Sequence, residues 1–358
     1  MQGRISTWTT LAAAAAVVLG GASVARGGII QTAPDDFAVF AGGYLSVDRG
    51  TGVTGSVGAV GGGWIDRNVQ MSGGLYSGAA VGTGRDVAIG GGLVSAGDVW
   101  LDRGTSVATI DSGGSVGLGR GVQVDDYVAA DRRVDIGSGA VVGGDVSYGT
   151  GQWISGGATV GGTVGQGLRS VQTWQTTLLD EPAWGGGGGG TYYGRGEDVT
   201  LAPDAYGSVG VDRDATVRLS SGTYDLGSLW LGRGTEIVAD TSGGDVVVNL
   251  SGSLSTDAGV TFSKSGGGGL LIRADEFIYL GQGTQAEAAF TSFQRLDVDR
   301  DSSITGRLEA SGNVWIGRDS SVTGAAGGGG GAIPEPATLA LVAVGVVAVL
   351  ARPRRRPR

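Results

Sequence analysis

The sequence predicts an all-β protein folded as a parallel β-helix, a triangular solenoid of about 18 residues per turn. A short motif recurs, in which an apolar-x-apolar strand is followed by Asp or Gly, then Arg, then Gly or Asp. Its first five arginines stand at positions 49, 67, 85, 103 and 120, in steps of 18, 18, 18 and 17. Within one turn, Val81, Val87, Leu93 and Val99 fall six residues apart, which divides the turn into three sides.

Glycine content supports the same fold class. The chain has 75 glycines in 358 residues, only 7 prolines and no Gly-x-y period, which excludes collagen. Hydrophobic residues make up 41% of the chain, too many for a disordered protein. Short apolar strands joined by tight glycine corners remain, and stacked turns supply the core that one turn cannot form. The sequence determines neither the handedness nor whether the repeats form one continuous stack.

The N-terminus predicts a secretory signal peptide over residues 1–25. Arg4 provides a basic start, an apolar run from Thr10 to Leu19 follows, and Ser23 and Ala25 are the small residues that precede a cleavage site. We therefore expect cleavage after Ala25 and export of the mature chain.

The repeats divide into two halves. The Arg-centred motif fades near residue 168 and returns with Val209–Val217, and the later positions Gln282, Arg300 and Arg318 are again 18 apart. The stretch around Leu168–Glu181 predicts a short amphipathic helix or an outward loop, before a glycine tract. The expected units are a first repeat half at 38–168, an interruption with a Gly-rich linker at 169–196, a second half at 197–324, a Gly-rich linker at 325–332 and a C-terminal signal at 333–358.

The C-terminal signal has three parts. Pro334, Glu335 and Pro336 precede an apolar stretch, Ala337–Ala351, and a basic tail, Arg352–Arg358. The stretch is short but apolar enough for a transmembrane sorting helix, and the tail would hold its end in the cytoplasm. This order closely resembles the PEP-CTERM sorting signal of Gram-negative bacteria. The resemblance implies an exosortase-type processing enzyme as partner, transient inner-membrane anchoring, and delivery to the cell surface, outer membrane or extracellular matrix. A plain C-terminal membrane anchor is the alternative.

The repeats carry two further resemblances. The second half resembles a β-helical domain of bacterial surface and pilus-associated proteins, through stretches such as Leu219–Asp225 and Val246–Gly252. The whole repeat resembles the bactofilin-like polymer-forming proteins, which are cytoplasmic, whereas the signal peptide argues for export. Neither resemblance implies catalytic residues.

Composition limits the chemistry. The chain has no Cys and no His, which removes disulfides, thiol chemistry, the commonest general base and the usual zinc ligand. A net charge of −9 disfavours nucleic acid as a partner. We therefore expect no enzyme and no cofactor, although a polysaccharide-degrading β-helix enzyme is an alternative.

Two sets of charged residues invite a functional interpretation. Asp-Arg pairs such as Asp66-Arg67 and Asp102-Arg103 recur at one corner, where Asp favours turns through bonds to its own backbone. Asp297, Asp299 and Asp301 alternate along one strand, and Asp212 with Asp214 repeats the spacing. Calcium could bind such oxygen clusters, but an arginine lies within each of them, so we expect no metal site.

Five tryptophans are the strongest candidates for ligand contact. Each lies at the middle of an apolar-x-apolar strand, so its side chain is expected to point outward: Trp64, Trp100, Trp153, Trp230 and Trp315. Outward aromatic rings can stack on sugars or on a partner sheet. The sequence thus predicts an exported structural or adhesive β-helix of the envelope or matrix. The alternative is a glycan-binding surface module that uses these tryptophans, with extracellular polysaccharide as the partner.

Overall fold

A computed structural model describes residues 29–167, 172–177, 179 and 188–324. Almost all regular structure in these ranges is β-strand, and a single 3-10 turn spans Pro34–Asp36. Among the described residues there is no helix long and apolar enough to span a membrane. The predicted signal peptide, Ala25, the Gly-rich linker at 325–332 and the sorting segment at 333–358 lie outside the described residues.

The strands are short and evenly spaced. The chain begins with β1 (Ile29–Thr32). The first half then contains β2 (Val39–Ala41), β3 (Leu45–Val47), β4 (Gly52–Thr54), β5 (Val57–Ala59), β6 (Gly63–Ile65), β7 (Gln70–Met71), β8 (Leu75–Ser77), β9 (Val81–Thr83), β10 (Ala88–Ile89), β11 (Leu93–Ser95), β12 (Val99–Leu101), β13 (Ser106–Val107), β14 (Ile110–Ser112), β15 (Val116–Leu118), β16 (Gln123–Val124), β17 (Val128–Ala130), β18 (Arg133–Ile136), β19 (Val141–Val142), β20 (Val146–Tyr148), β21 (Gly151–Ile154), β22 (Thr159–Val160) and β23 (Val164–Gln166).

The remaining strands begin with β24 (Thr173–Thr176). The second half follows with β25 (Thr191–Tyr193), β26 (Asp198–Leu201), β27 (Val209–Val211), β28 (Thr216–Ser220), β29 (Gly222–Leu226), β30 (Leu229–Leu231), β31 (Glu236–Asp240), β32 (Val246–Leu250), β33 (Leu254–Thr256), β34 (Thr261–Ser265), β35 (Leu270–Ala274), β36 (Phe277–Leu280), β37 (Gln285–Ala286), β38 (Ala289–Ser292), β39 (Arg295–Val298), β40 (Ser303–Thr305), β41 (Leu308–Ala310), β42 (Asn313–Ile316) and β43 (Ser321–Thr323). Its first strand thus starts before the predicted boundary at residue 197.

Three long parallel sheets form the sides of the solenoid, which confirms the predicted fold class. Sheet 1 has 14 strands, in the order β21-β18-β15-β12-β9-β6-β3-β42-β39-β36-β33-β30-β27-β25. Sheet 2 also has 14 strands and runs from β22 to β26, and sheet 3 has 13 and runs from β23 to β29. We call each strand of sheet 1, with the turn that follows it, a rung. Rungs lie about 4.8 Å apart along the solenoid axis.

The two halves form one continuous stack, although not in chain order. The first half starts at the centre of the molecule and winds outward to β21–β23, while the second half starts at the opposite end and winds back to the centre. At the junction, β3 pairs in parallel with β42, with Leu45 opposite Val314 and Val47 opposite Ile316. One cluster of buried aliphatic and aromatic side chains extends through both halves.

The interruption between the halves contains a strand where the sequence predicted a helix or an outward loop. Strand β24 pairs in parallel with β1, and together they cover part of the outer face of sheet 3. Trp174 is 5% exposed and packs with Phe37, Phe40, Tyr76 and Val94. A strand forms here because one edge of β24 finds hydrogen-bonding partners in β1 and its tryptophan finds an apolar surface, neither of which local periodicity can indicate.

Candidate ligand-binding face

The outer face of sheet 1 carries a column of aromatic side chains. In each strand of the type Val99-Trp100-Leu101, the first and third residues are buried and the middle residue points outward. Trp100 exposes 60% of its surface, Trp153 53%, Trp64 41% and Trp230 38%. Trp315 is half-buried. All five predicted tryptophans therefore lie on one face, in the same column of the sheet.

Strand pairing orders this column in a regular alternation. From the second-half end towards the first-half end, the register gives Tyr192, Gly210, Trp230, Ser255, Tyr279, Asp297, Trp315, Ser46, Trp64, Gly82, Trp100 and Gly117. An aromatic residue occupies every second rung, and a small or acidic residue occupies each rung between. We call the six aromatic residues from Tyr192 to Trp100 the aromatic ladder. Trp153, three rungs beyond Trp100, is out of this phase.

The sequence interpretation missed part of the ladder. Tyr192 and Tyr279 were not among the predicted contacts, although Tyr279 occupies the same middle position of its repeat as the tryptophans. The two-rung spacing cannot be predicted from the sequence either, because it depends on Trp315 lying two rungs from Trp64 across the junction.

Most ladder residues lean in the same direction along the solenoid axis. A Cβ placed on Gly82 would lie 2.6 Å from Cζ3 of Trp64, and one on Gly210 would lie 2.9 Å from Cδ2 of Tyr192. The Trp100 ring covers Gly117 in the same way. The rings of Tyr192, Trp64 and Trp100 therefore each rest on the glycine of the next rung. The surface that Trp64 and Trp100 still expose is open to solvent.

Aspartates hold two other ladder residues in this orientation. Nε1 of Trp315 donates a hydrogen bond to Oδ1 of Asp48 at 3.2 Å, and the Tyr279 hydroxyl donates to Oδ2 of Asp299 at 3.2 Å. In both pairs the aspartate belongs to the next rung. Partial burial, and then the charge and hydrogen bond of Asp299, raise the pKa of Tyr279, so its hydroxyl stays a hydrogen-bond donor to a higher pH than that of a free tyrosine.

An open polar groove runs beside the ladder. Its volume is about 540 Å³, and Trp64 forms part of its wall. The other lining residues are Asp48, Arg49, Asp66, Arg67, Gly84, Arg85, Asp102 and Arg318. Because each of these arginines has an aspartate on its own or a neighbouring rung, the groove presents donors and acceptors without a strong net charge.

The corner aspartates also serve the backbone. Oδ1 of Asp102, Asp212 and Asp299 each accepts a hydrogen bond at 2.7 Å from the backbone N–H of the arginine that follows. This is the turn-forming role that the Asp-Arg motif predicts. The nearby ion pairs are exposed, such as Arg85–Asp102 at 3.8 Å, and contribute little stability.

The candidate calcium residues have other partners. Asp297 forms an ion pair with Arg295 at 2.7 Å, and Asp301 accepts a hydrogen bond from Gln282 at 3.0 Å. In the part of the chain that the structure describes, no group of three or more acidic side chains is arranged to hold a metal ion.

Comparisons with known proteins identify the C-terminal signal. Residues 332–356 match the PEP-CTERM protein-sorting motif, which includes Pro334, Glu335 and Pro336. The chain thus carries a substrate signal for exosortase processing and is an exported, cell-surface protein. No curated protein matches the chain.

Solved structures with a similar course of the chain include an ice binding protein from an Antarctic Flavobacteriaceae bacterium, which is 12% identical with a TM-score of 0.29. The match covers 82% of this chain and 98% of that one. A possible adhesin C-terminal domain from Caldicellulosiruptor kronotskyensis is 11% identical with a TM-score of 0.35, over 87% of this chain and 96% of that one.

Proposed function

We propose that this exported protein is an adhesive component of the cell surface or extracellular matrix, and that its aromatic ladder binds extracellular polysaccharide. The observation that carries the proposal is the row of solvent-open rings on sheet 1. Part of the outer face of sheet 3 is instead covered by β1 and β24. An exposed aromatic row of this length is costly to leave in water and is typical of an interaction surface.

The chemistry of the face suits sugars. Pyranose rings have apolar faces of C–H groups that stack on aromatic rings, while their hydroxyls need paired donors and acceptors. The groove beside Trp64 supplies carboxylates and guanidinium groups within the same surface. Arginine and aspartate can each bind two neighbouring hydroxyls at once.

We further propose that the face binds without catalysis. Glycoside hydrolysis requires two carboxyl groups facing each other across the scissile bond. The Oδ1 atoms of Asp102, Asp212 and Asp299 instead each accept a hydrogen bond from the backbone N–H of the arginine that follows. A hydrolytic activity that is lost on substituting any of these aspartates would contradict this proposal.

The test is an adsorption assay with the mature solenoid, residues 26–332, on extracellular polysaccharide purified from the native organism. The double variant Trp64→Ala/Trp100→Ala should bind about tenfold more weakly, since two stacking contacts are lost. The matched control is Val141→Ala, which removes an exposed apolar side chain from sheet 2 and should bind as the wild type does. Equal binding by the double variant would refute the ladder as the contact surface.

A further inference from the structure

The ladder repeats every two rungs, or about 9.6 Å at ~4.8 Å per rung. This spacing holds from Tyr192 to Trp100, over ten rung steps and about 48 Å. It continues through the junction, where Trp315 belongs to the second half and Trp64 to the first. Two stretches of chain far apart in sequence therefore contribute to one periodic surface.

A ligand that uses all the rings must present an equivalent apolar face at the same interval. In an extended polysaccharide with equatorial β-1,4 linkages, successive sugars are flipped, so the same ring face recurs at every second unit. Two such extended units are about as long as two rungs. An axially linked α-1,4 chain coils, and its ring faces do not stay aligned along a straight row.

Resting on the proposed function, we infer that the ligand is an uncharged, extended β-1,4-linked polysaccharide that lies parallel to the solenoid axis, with one disaccharide for every two rungs. The small residues between the rings, such as Gly82 and Gly117, let the neighbouring rings lie close to the sheet and keep the aromatic ladder straight. Because most rings lean the same way along the solenoid axis, the two directions along the ladder are not equivalent.

Charge favours a neutral chain. Arg49, Arg67 and Arg318 line the groove, but Asp48, Asp66 and Asp319 neighbour them. A polyanion would meet these carboxylates as closely as the guanidinium groups. Neutral hydroxyls can use both kinds of group as hydrogen-bond partners.

The first experiment measures affinity for soluble oligosaccharides by calorimetry with the mature solenoid. A β-1,4-linked glucose hexamer should bind about tenfold more tightly than the trimer, because it reaches more rings. An α-1,4-linked glucose hexamer and an alginate hexamer, which is anionic, should bind at least about tenfold more weakly than the β-linked one. Equal affinity for the α- and β-linked hexamers would overturn the inference, and stronger binding of alginate would assign the face to polyanions.

The second experiment shifts one ring without changing the number of rings. In a Trp153→Ala background, the variant Trp100→Gly/Gly117→Trp moves an aromatic residue by one rung, so its distance from Trp64 becomes three rungs rather than two. The Trp153→Ala change is needed because Trp153 lies two rungs from position 117. The shifted variant should bind the β-linked hexamer as weakly as Trp100→Gly in the same background. Wild-type affinity in the shifted variant would show that ring number, not spacing, determines binding.

The two proposals fail in different ways. If Trp64→Ala/Trp100→Ala binds the native polysaccharide as the wild type does, the ladder is not a glycan surface at all. If that variant loses binding but the shifted variant keeps it, the ladder binds glycans without the two-rung register.

A third variant tests Gly82 as a positioning residue. Gly82→Ala places a methyl group within 2.6 Å of the Trp64 ring, which must tilt away, while the fold has no other reason to change. Affinity for the hexamer should fall about threefold and the total tryptophan fluorescence should shift relative to the wild type, with the unfolding temperature unchanged. Gly52→Ala is the control, since its added methyl has no heavy atom within 4 Å. Unchanged affinity and fluorescence in Gly82→Ala would contradict the role of the glycine.

Discussion

At the scale of single residues, one backbone conformation repeats at every rung. The residue after each corner Arg, or its equivalent, has a positive φ in the left-handed region, as at Asn68 (φ 56°), Asp86 (φ 56°) and Gly104 (φ 73°). L-residues with a Cβ are strained there, except that Asn and Asp are tolerated through local hydrogen bonds. The alternation of Gly, Asn and Asp after Arg in the repeat therefore follows from the turn, and the corner could be predicted from sequence.

Alanine variants of two corner glycines distinguish backbone strain at positive φ from a steric clash of the added methyl group. Gly104→Ala adds strain at φ 73° and places its methyl against the carboxylate of Asp86. Gly121→Ala adds a similar strain at φ 66°, with no heavy atom within 4 Å of the new methyl. We expect Gly121→Ala to lower the free energy of unfolding by about 1 kcal/mol, and Gly104→Ala to lower it by more than that. Urea denaturation measures this, and equal losses would show that the Asp86 carboxylate simply moves aside.

At the scale of elements, the cover of sheet 3 is a separate unit with its own small core. Strands β1 and β24 pair residues that are 144 positions apart in the chain, and Nε1 of Trp174 donates a hydrogen bond to Oγ1 of Thr32 at 2.7 Å. The Phe37 and Trp174 rings meet edge to face, with centroids 5.8 Å apart. The sequence could not predict this cover, because neither strand carries the repeat and each finds its partner far away in the chain.

A pair of tryptophan variants compares a structural with a surface role. Trp174→Ala removes a buried ring and a buried hydrogen bond, so we expect a loss of about 3 kcal/mol and faster proteolysis near β1. Trp100→Ala removes an exposed ring and should change stability by no more than about 0.5 kcal/mol. Thermal unfolding and limited proteolysis measure both effects. Equal destabilisation by the two variants would mean that Trp100 also supports the fold.

At the scale of the whole molecule, periodicity determined the architecture but not the order of the rungs. The 18-residue step and the inward positions predicted the three sides and the core, because every rung repeats the same alternation. Because the rungs are so similar in sequence, nearly any rung could stack on any other, and the stacking order could not be predicted. The central junction of β3 with β42, and with it the two-rung spacing of the ladder, is therefore a property of the folded chain.

Hydrogen exchange should follow the order of the rungs. The junction strands β3 and β42 have a neighbour on both sides and fully buried inward residues, whereas β21–β23 and β25 are exposed at the ends. We therefore expect amides of residues 45–47 and 314–316 to exchange most slowly, and those of 151–166 and 191–193 to exchange first. Fast exchange at the junction would indicate that the halves separate in solution.

Mass spectrometry of both mature termini in fractions of the native organism tests export and sorting most directly. We expect a product that begins at Arg26, ends near Pro334-Glu335-Pro336, and is recovered with the extracellular polysaccharide. A product that stays in the cell membrane and retains Arg352–Arg358 would contradict it, because the solenoid would then be anchored to the cell and not delivered to the matrix.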